Sequence, residues 1–505
     1  MNYPRPQFVR KNWLSLNGEW LMNGKTIIVP SCQIDEHLIY EKHFEYKKEK
    51  EVTLLHFDGV DQIAEVYLND KYVGRHIGGY LPFTFDVSRY VIEGDNKLIV
   101  EVKDELDHTY PYGKQRIDRG GMWYTPMSGI WKDVWLEQVP KRYIDDIKIN
   151  PDLTGVDLRM LIKEEDDIFV KEERIEIENP ELWTFDNPKL YYHTLKEGDD
   201  EVEIYFALRK IDIQNINGIN RVCLNNKPIF FHGLLDQGYF DPGLMMPKDT
   251  EAYKKDISFI KSLGFNTLRK HIKIEPEEFY YECDKQGVLV IQDMVNSGDY
   301  HFFKDTVLGT LGIKLSDKKK LDERENFFIE HSKDTITHLY NHPCVVVYTI
   351  FNEGWGQFNS DEVYNLLKSL DSSRLYDSTS GWFKQKNSDF DSEHIYFRLK
   401  KLKPNIRPLL ISECGGYSLN LNLQDNSYGY GACKDSKELT DRMIMLYENM
   451  IIPAIKKGCC GSIYTQVSDI EDEINGLISY DREVVKVEDR IKEVADKILK
   501  EIDNV

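Results

Sequence analysis

Two glutamates stand directly behind apolar runs that are typical of buried β-strands. Glu353 follows residues 345–351 and Asn352, and Glu413 follows residues 409–412. A carboxylate at the end of a buried strand is costly to desolvate unless it is paired or takes part in chemistry. Two such carboxylates on one face suit the hydrolysis of a glycosidic bond, in which one protonates the leaving oxygen while the other attacks the anomeric carbon or activates water. The alternative is that both are surface glutamates that follow strands by chance.

The elements that would position these glutamates alternate between strand and helix from about Arg221 onward. A (β/α)8 TIM barrel needs eight such units in roughly 250 residues, and its reactive groups lie at the C-terminal ends of the strands. The sequence therefore predicts a TIM barrel over residues 215–505, with a last helix over 486–502. Its predicted strands are 229–234, 266–270, 288–294, 345–351, 374–378, 394–397, 409–413 and 462–466.

The chain before the barrel is predicted to be all β. Short runs rich in β-branched and aromatic residues, such as 52–58, 63–68 and 97–103, are separated by turn residues. This pattern favours an N-terminal β jelly roll over residues 1–140. A second β segment, 141–214, is shorter than the roughly 100 residues of an immunoglobulin-like β-sandwich, so we expect a short sandwich there.

Composition bounds the function classes. The 505 residues carry a net charge of −21, and the sequence contains no block of lysine and arginine. A nucleic-acid-binding surface is therefore not expected. The sequence contains no run of about 18 apolar residues, so no membrane span is predicted. The N-terminal residues do not form a secretory signal. The eight cysteines are scattered without a CxxC pair, which favours free thiols and a cytoplasmic location.

Several motifs together strongly resemble glycoside hydrolase family 2, which includes β-galactosidases, β-glucuronidases and β-mannosidases. The barrel motifs are Asn341-His342-Pro343, Phe351-Asn352-Glu353-Gly354-Trp355 and Ser412-Glu413. The first domain adds Gly79-Tyr80-Leu81-Pro82-Phe83 and Ser128-Gly129-Ile130-Trp131. The resemblance covers the whole chain and implies a sugar-binding jelly roll, an immunoglobulin-like domain and a catalytic barrel.

The resemblance also implies residue roles in a retaining, two-step displacement. Glu353 matches the acid/base position and Glu413 the nucleophile, while Asn352 matches the residue that hydrogen-bonds the sugar 2-hydroxyl. Arg269 matches a cation near the nucleophile, with a structural ion pair as the alternative. The other candidates for contact with the sugar are His271, Asp293, His394, Tyr396, Trp355, Tyr464 and Gln466, and Trp355 is equally well explained by packing.

Departures from the family pattern bear on the substrate. Glucuronidases of the family carry an Asn-x-Lys pair after the eighth strand, whereas this chain has Asn475 and then Leu477. Leu477 therefore argues against glucuronides, and the expected substrate is a small neutral oligosaccharide or glycoside, a β-galactoside first. The metal-binding pair of the metal-dependent galactosidases is missing after Asp293, so neither a catalytic metal nor another cofactor is expected.

The sequence thus predicts an exo-acting retaining β-glycosidase without nucleic-acid or membrane partners. A homo-oligomer is open, since members of the family often assemble. Two alternatives remain at this point: a catalytically inactive carbohydrate-binding protein of the same fold, and a retaining transglycosylase. Other hydrolase and nucleotide-binding classes are disfavoured because the sequence lacks HExxH, a P-loop, GxGxxG and GxSxG.

Overall fold

The computed structural model describes residues 3–313, 318–396, 399–402, 406–421 and 427–505. Its first domain is a sandwich of two antiparallel sheets that enclose an apolar core, including Trp20, Tyr40, Phe57 and Val100. A short strand pair, Val60–Asp61 with Gly129–Ile130, lies beside them. In spatial order, the four-stranded sheet contains Trp13–Ser15, Val134–Val139, Val52–Phe57 and Phe83–Asp86, and the six-stranded sheet contains Lys25–Val29, Gly18–Met22, His37–Tyr46, Gly94–Lys103, Ile63–Leu68 and Lys71–Ile77. All three strands that the sequence predicts in this domain are confirmed.

The second domain is a small sandwich of five strands. Arg142–Pro151, Gly155–Glu164 and Asp167–Glu176 form one antiparallel sheet, and the hairpin of Tyr191–Glu197 and Asp200–Phe206 forms the other. Apolar side chains of both sheets share one core. A further antiparallel sheet of Ile211–Ile216, Ile219–Leu224 and Lys227–Pro228 leads into the third domain.

The third domain contains an eight-stranded parallel sheet that curves into a barrel. Running from the fifth barrel strand back through the first and on to the eighth, seventh and sixth, each neighbouring pair is hydrogen-bonded. The barrel strands, first to eighth, are Phe231–Asp236, Thr267–Lys270, Leu289–Asp293, Val345–Asn352, Leu375–Ser380, Asp391–Ile395, Leu409–Gly415 and Cys459–Thr465. Each predicted strand overlaps the strand observed at its place, although the predicted sixth strand extends to Phe397, which lies outside the described residues.

Helices surround this sheet and bury their apolar sides against it. They are Glu251–Ser262, Glu277–Gln286, Leu308–Thr310, Glu323–Leu339, Ser360–Leu370, Ser436–Leu446, Ile452–Ile455 and Lys492–Asp503, with π-helical turns at Phe302–Val307 and Tyr447–Ile451 and a 3₁₀ turn at Asp489–Ile491. The predicted start of the last helix at Lys486 is wrong. The buried Lys486 ammonium donates to both carboxylate oxygens of Asp469, at 2.7 and 2.9 Å, and so holds this segment in a loop. Within the described ranges, no helix is long and apolar enough to cross a bilayer.

Buried polar contacts fix the second domain to the barrel. The Trp183 indole N–H donates to the Asp284 carbonyl at 2.8 Å, and the Tyr205 hydroxyl donates to the Asp284 carboxylate at 2.8 Å. Arg209 donates to the carbonyls of Pro343 and Val345, which lie at the start of the fourth barrel strand. The strand that carries Glu353 is therefore anchored at its base.

Candidate active site

Glu353 lies in the turn that ends the fourth barrel strand. Its backbone has φ of 54°, in the left-handed region that residues other than glycine adopt at a cost, and such strain is concentrated at functional sites. Its N–H donates to the Ser380 carbonyl at 2.9 Å, which holds the turn. Gly354 follows at φ of 82°, and a Cβ there would lie 2.3 Å from the Phe383 ring. The turn therefore needs glycine directly after Glu353.

Glu413 is buried near the end of the seventh barrel strand, opposite His394 of the sixth strand. One carboxylate oxygen accepts from Arg269 Nη1 at 3.0 Å, and the other accepts from the Tyr396 hydroxyl. Burial alone would raise the pKa of Glu413, but His394 and Arg269 outweigh it and hold the pKa at about 2. Glu413 is therefore a carboxylate at neutral pH, as a nucleophile requires.

Arg269 connects the strand ends around Glu413. Its side chain is fully buried, and besides Glu413 it donates to the Asp293 carboxylate at 2.9 Å and to the Asn352 side-chain oxygen at 3.0 Å. It also donates to the Ser412 carbonyl at 2.9 Å. Because Asn352 accepts through its oxygen, its amide group faces outward with its N–H donors, and no acceptor in the described part of the chain takes them.

His394 lies between the two glutamates. Its Nδ1 is 2.7 Å from Glu353 Oε1 and 3.4 Å from Glu413 Oε2, and its Nε2 is 2.7 Å from the Ser380 hydroxyl. One oxygen of Glu353 and one of Glu413 lie within 4.8 Å of each other. The two carboxylates therefore face one another across a space that holds His394 at its edge.

Asp293 ends the third barrel strand and binds both Arg269 of the second strand and His271, which directly follows that strand. His271 Nδ1 is 2.6 Å from Asp293 Oδ2, while the other oxygen of Asp293 accepts from Arg269. Burial alone would raise the pKa of Asp293, but Arg269 and His271 lower it below its usual range. Asp293, proposed from the sequence as a sugar contact, thus has both oxygens engaged within the protein.

Three of the residues predicted to contact the sugar are placed differently. Trp355 is buried, with its N–H on the Gly298 carbonyl at 2.8 Å and its ring edge-on to Trp123 of the first domain. Tyr464 is fully buried, and its hydroxyl accepts from the Tyr417 N–H. Gln466 follows the eighth strand, and its buried side chain has neither polar atom hydrogen-bonded within the residues described.

The same region contains residues that the sequence analysis missed. Ser380 orients His394, and it was missed because the predicted fifth strand ended two residues early. Glu473, noted neither as catalytic nor as binding, is buried and accepts from the Tyr124 hydroxyl at 2.5 Å. Lys114 of the first domain also reaches this region, and no local motif singles it out.

The atoms that could hold a metal ion are those of the two candidate glutamates and of His394 between them. Glu353, His394 and Glu413 offer ligand atoms within 4.8 Å of one another. Both glutamates already have hydrogen-bond or ionic partners in His394, Arg269 and Tyr396. A cation bound there would have to displace the contact between His394 and Glu353, so it would compete with the arrangement described above.

Comparison with known families identifies this arrangement. A family model described as "Glycosyl hydrolases family 2, sugar binding domain" matches residues 26–140, and one described as "Glycosyl hydrolases family 2, TIM barrel domain" matches residues 215–409. The chain belongs to glycoside hydrolase family 2. The resemblance inferred from the sequence motifs is thereby confirmed, as is the multidomain architecture with its TIM barrel.

Curated relatives within the family are distant. A "Putative beta-glucuronidase" of Formosa agariphila is 25% identical over 355 residues, covering 61% of this chain and 39% of its own length. A "Beta-galactosidase" of Kluyveromyces lactis is 24% identical over 414 residues, covering 67% of this chain and 39% of its own length. The chain thus spans about two fifths of the length of these relatives.

Solved structures of the family share the fold over nearly the whole chain. A β-D-glucuronidase of Dictyoglomus thermophilum superposes with a TM-score of 0.76 at 19% identity, covering 98% of this chain and 99% of its own. A GH2 β-galacturonidase of Eisenbergiella tayi, bound to glycerol, gives 0.72 at 18% identity, covering 99% and 98%. At this identity the likeness concerns the fold alone.

Proposed function

We propose that the protein is an exo-acting retaining β-glycosidase. The observation that carries this proposal is the approach of Glu353 and Glu413, whose nearest carboxylate oxygens lie within 4.8 Å. Retaining glycosidases hold their two carboxyl groups about 5–5.5 Å apart, whereas inverting enzymes need about 6.5–9.5 Å to admit a water molecule between them. The observed approach of the oxygens supports the shorter, retaining spacing.

Glu413 is the nucleophile in this proposal. It is ionised, and Arg269 and Tyr396 each bind one of its oxygens, so the carboxylate is held in a fixed orientation. It attacks the anomeric carbon, and the bond from that carbon to the leaving oxygen breaks. Glu353 gives its proton to the leaving oxygen, then takes a proton from the water that releases the sugar.

Asn352 and His394 complete the site. The outward amide group of Asn352 is placed to donate to the sugar 2-hydroxyl, a contact that strengthens in the transition state of such reactions. His394 holds Glu353 at 2.7 Å and thus keeps the acid/base residue oriented before the sugar binds. Both are positioned by strand ends next to those of the two glutamates.

The sugar is a narrower part of the proposal. Leu477 stands where the glucuronidases of the family carry a lysine, and this single difference is the basis for expecting a neutral β-galactoside from the sequence. The names of the relatives include both β-galactosidase and β-glucuronidase, so they leave both a neutral and a carboxylated sugar open. The test must therefore offer both kinds.

The test is hydrolysis of a panel of aryl β- and α-glycosides by the wild type, Glu353→Gln and Glu413→Gln. Glu330→Gln, a change of an exposed glutamate on the helix Glu323–Leu339, is the matched control. We expect release from a β-glycoside with the β-anomer as first product by NMR. Glu413→Gln should abolish release, and Glu353→Gln should lower kcat/KM about 10²–10⁴-fold, least for the best leaving groups.

Two outcomes would contradict the proposal. An α-anomer as the first product would mean inversion and would remove Glu413 as nucleophile. Release that persists in Glu413→Gln at the level of Glu330→Gln would remove the catalytic assignment altogether. Binding of sugars without any release would instead favour the carbohydrate-binding alternative.

A further inference from the structure

A segment of the first domain extends over the C-terminal face of the barrel. The Tyr112 N–H donates to the Asn296 carbonyl at 3.0 Å, and the Tyr112 hydroxyl donates to the Gly298 carbonyl at 2.9 Å. Gly113 has φ of 73°, and a Cβ there would lie 3.1 Å from the Ile272 carbonyl oxygen. The next residue, Lys114, is therefore held against the loops that follow the second and third barrel strands.

Lys114 differs from the other buried lysines. Four buried lysines have their ammonium groups bound by carboxylates, carbonyls or both: Lys132, Lys270, Lys273 and Lys486. Lys114 is 8% exposed, yet over the described ranges its ammonium has neither a hydrogen-bond acceptor nor a carboxylate within 4.0 Å. A charge on a largely buried side chain is costly when no protein group binds it, so the retention of Lys114 calls for an explanation.

A second cation accompanies Lys114. Lys114 Nζ lies 5.4 Å from the centre of the Trp123 ring, and the guanidinium carbon of Arg116 lies 5.0 Å from it. Arg116 likewise has no carboxylate within 4.0 Å among the residues described. Cation–π contact with the indole compensates part of the cost of each charge. Two cations on one ring repel one another, and a bound anion would relieve that repulsion.

The surroundings of Lys114 belong to the candidate active site. Trp123 packs on Trp355 with ring centres 4.9 Å apart, two residues after Glu353. Burial lowers the pKa of His271, and the charge of Lys114 lowers it further. Glu473 is an acidic neighbour on which that charge acts, but Tyr124 and Asn475 already bind its two oxygens. The charge of Lys114 is thus free to act on a bound substrate.

We propose that Lys114 is a specificity-determining residue that binds a carboxylate of the substrate, so that the site takes a β-linked uronic acid. This inference rests on the proposed function and names its substrate class. An ammonium can also donate to a neutral hydroxyl, but only an anion compensates its charge as well as its hydrogen bonds. Lys114 supplies its cation from the first domain. Leu477 shows only that the segment after the eighth strand lacks the lysine of the glucuronidases.

The test compares kcat/KM for aryl β-galacturonide and β-glucuronide with that for aryl β-galactoside and β-glucoside. The proteins are the wild type, Lys114→Met, Lys114→Arg and Lys132→Met. We expect the wild type to prefer a uronide and Lys114→Met to lower that preference by at least about 30-fold, as loss of one partner of a buried charge pair does. Lys114→Arg should restore part of it. Lys132→Met, a buried lysine of the same domain bound to the Tyr80 carbonyl, should leave the preference unchanged even if less protein folds.

A binding measurement separates this inference from the proposed function. Calorimetry with D-glucuronate, D-galacturonate and D-galactose needs no catalysis. Hydrolysis of neutral glycosides only, with the same preference in Lys114→Met, overturns the inference and leaves the glycosidase standing. Absence of hydrolysis together with uronate binding that Lys114→Met abolishes supports Lys114 and overturns the hydrolytic function. Absence of both overturns both.

Discussion

Replacing Arg269 with methionine should expose how the protein keeps its nucleophile ionised. The variant keeps an unbranched, buried side chain but removes the guanidinium that pairs with Asp293 and Glu413. Loss of one partner of a buried ion pair costs about 3–5 kcal/mol of unfolding free energy, because the other charge stays buried and uncompensated. Since Arg269 has two such partners, we expect Arg269→Met to lose at least the smaller of these figures at neutral pH.

The same change should move the pH dependence of catalysis. The pKa of Glu413 is about 2, although burial alone would raise it above the usual value of 4.5. An arginine beside a carboxylate typically lowers its pKa by about 1–3, so removing Arg269 should raise the pKa of Glu413 by a similar amount. Only the ionised Glu413 attacks, so the acid limb of kcat/KM should shift upward by about 1–3 pH units.

The unfolding free energy should depend on pH through the same carboxylate. The folded-state pKa of Glu413 is lowered, so this group stabilises the fold above its unfolded pKa near 4.5, and the contribution is lost as the pH falls toward about 2. Arg269→Met should lose much of that contribution. The difference in unfolding free energy between wild type and variant should therefore be large at neutral pH and smaller in acid.

The assay is a pH profile of kcat/KM on the best aryl glycoside, beside urea unfolding at pH 7 and pH 4. Arg374→Met is the matched control, because Arg374 is also buried and binds Asp371 at 2.7 Å. Arg374 directly precedes the start of the fifth strand, whereas the candidate site lies at the C-terminal ends of the strands. Arg374→Met should destabilise the fold without moving the acid limb. If Arg269→Met does not fold, Arg269→Lys, which keeps a positive charge, is the variant to measure. If Arg269→Met folds and the acid limb of its pH profile stays where it is in the wild type, the reasoning is refuted.

Three further predictions concern the groups around the site. Tyr396→Phe removes a hydrogen bond to the charged Glu413 and should lower kcat/KM about 10–100-fold with little change in Tm, while Tyr364→Phe on an outer helix should not; equal effects would deny Tyr396 a role beyond packing. Gly354→Ala should lower activity more than Tm, because its Cβ would meet Phe383 and displace the turn of Glu353; Gly218→Ala, with a similar φ and open space, is the control, and wild-type activity in Gly354→Ala would show that the turn adapts. All eight cysteines are free and seven are buried, so a reductant should leave Tm unchanged, and native iodoacetamide labelling should be far slower than labelling in urea; a Tm that falls with reductant would indicate a disulfide.

Sequence periodicity was enough to predict the barrel, for a physical reason. Its strands are buried on both faces, so each is a continuous apolar run, and glycine or proline ends the helices between them. The approach of Glu353 and Glu413 followed from the same pattern, because the C-terminal ends of parallel strands meet at one face. The predicted start of the last helix was wrong, because helical periodicity does not reveal a tertiary contact such as that of Lys486 with Asp469.

What the sequence could not provide is the part of the site that two domains build together. Lys114 and Trp123 belong to the first domain and Trp355 to the barrel, yet Trp123 contacts both of the others. For Trp355 the sequence left stacking on a sugar and packing equally open, and the structure places its ring edge-on against Trp123. The prediction of a neutral sugar rests on one segment compared with one motif, and it stays a prediction. A charge that acts at the barrel face from another domain can be recognised only when burial and partners are known for every lysine at once, and by that measure Lys114 is the residue on which substrate choice should depend.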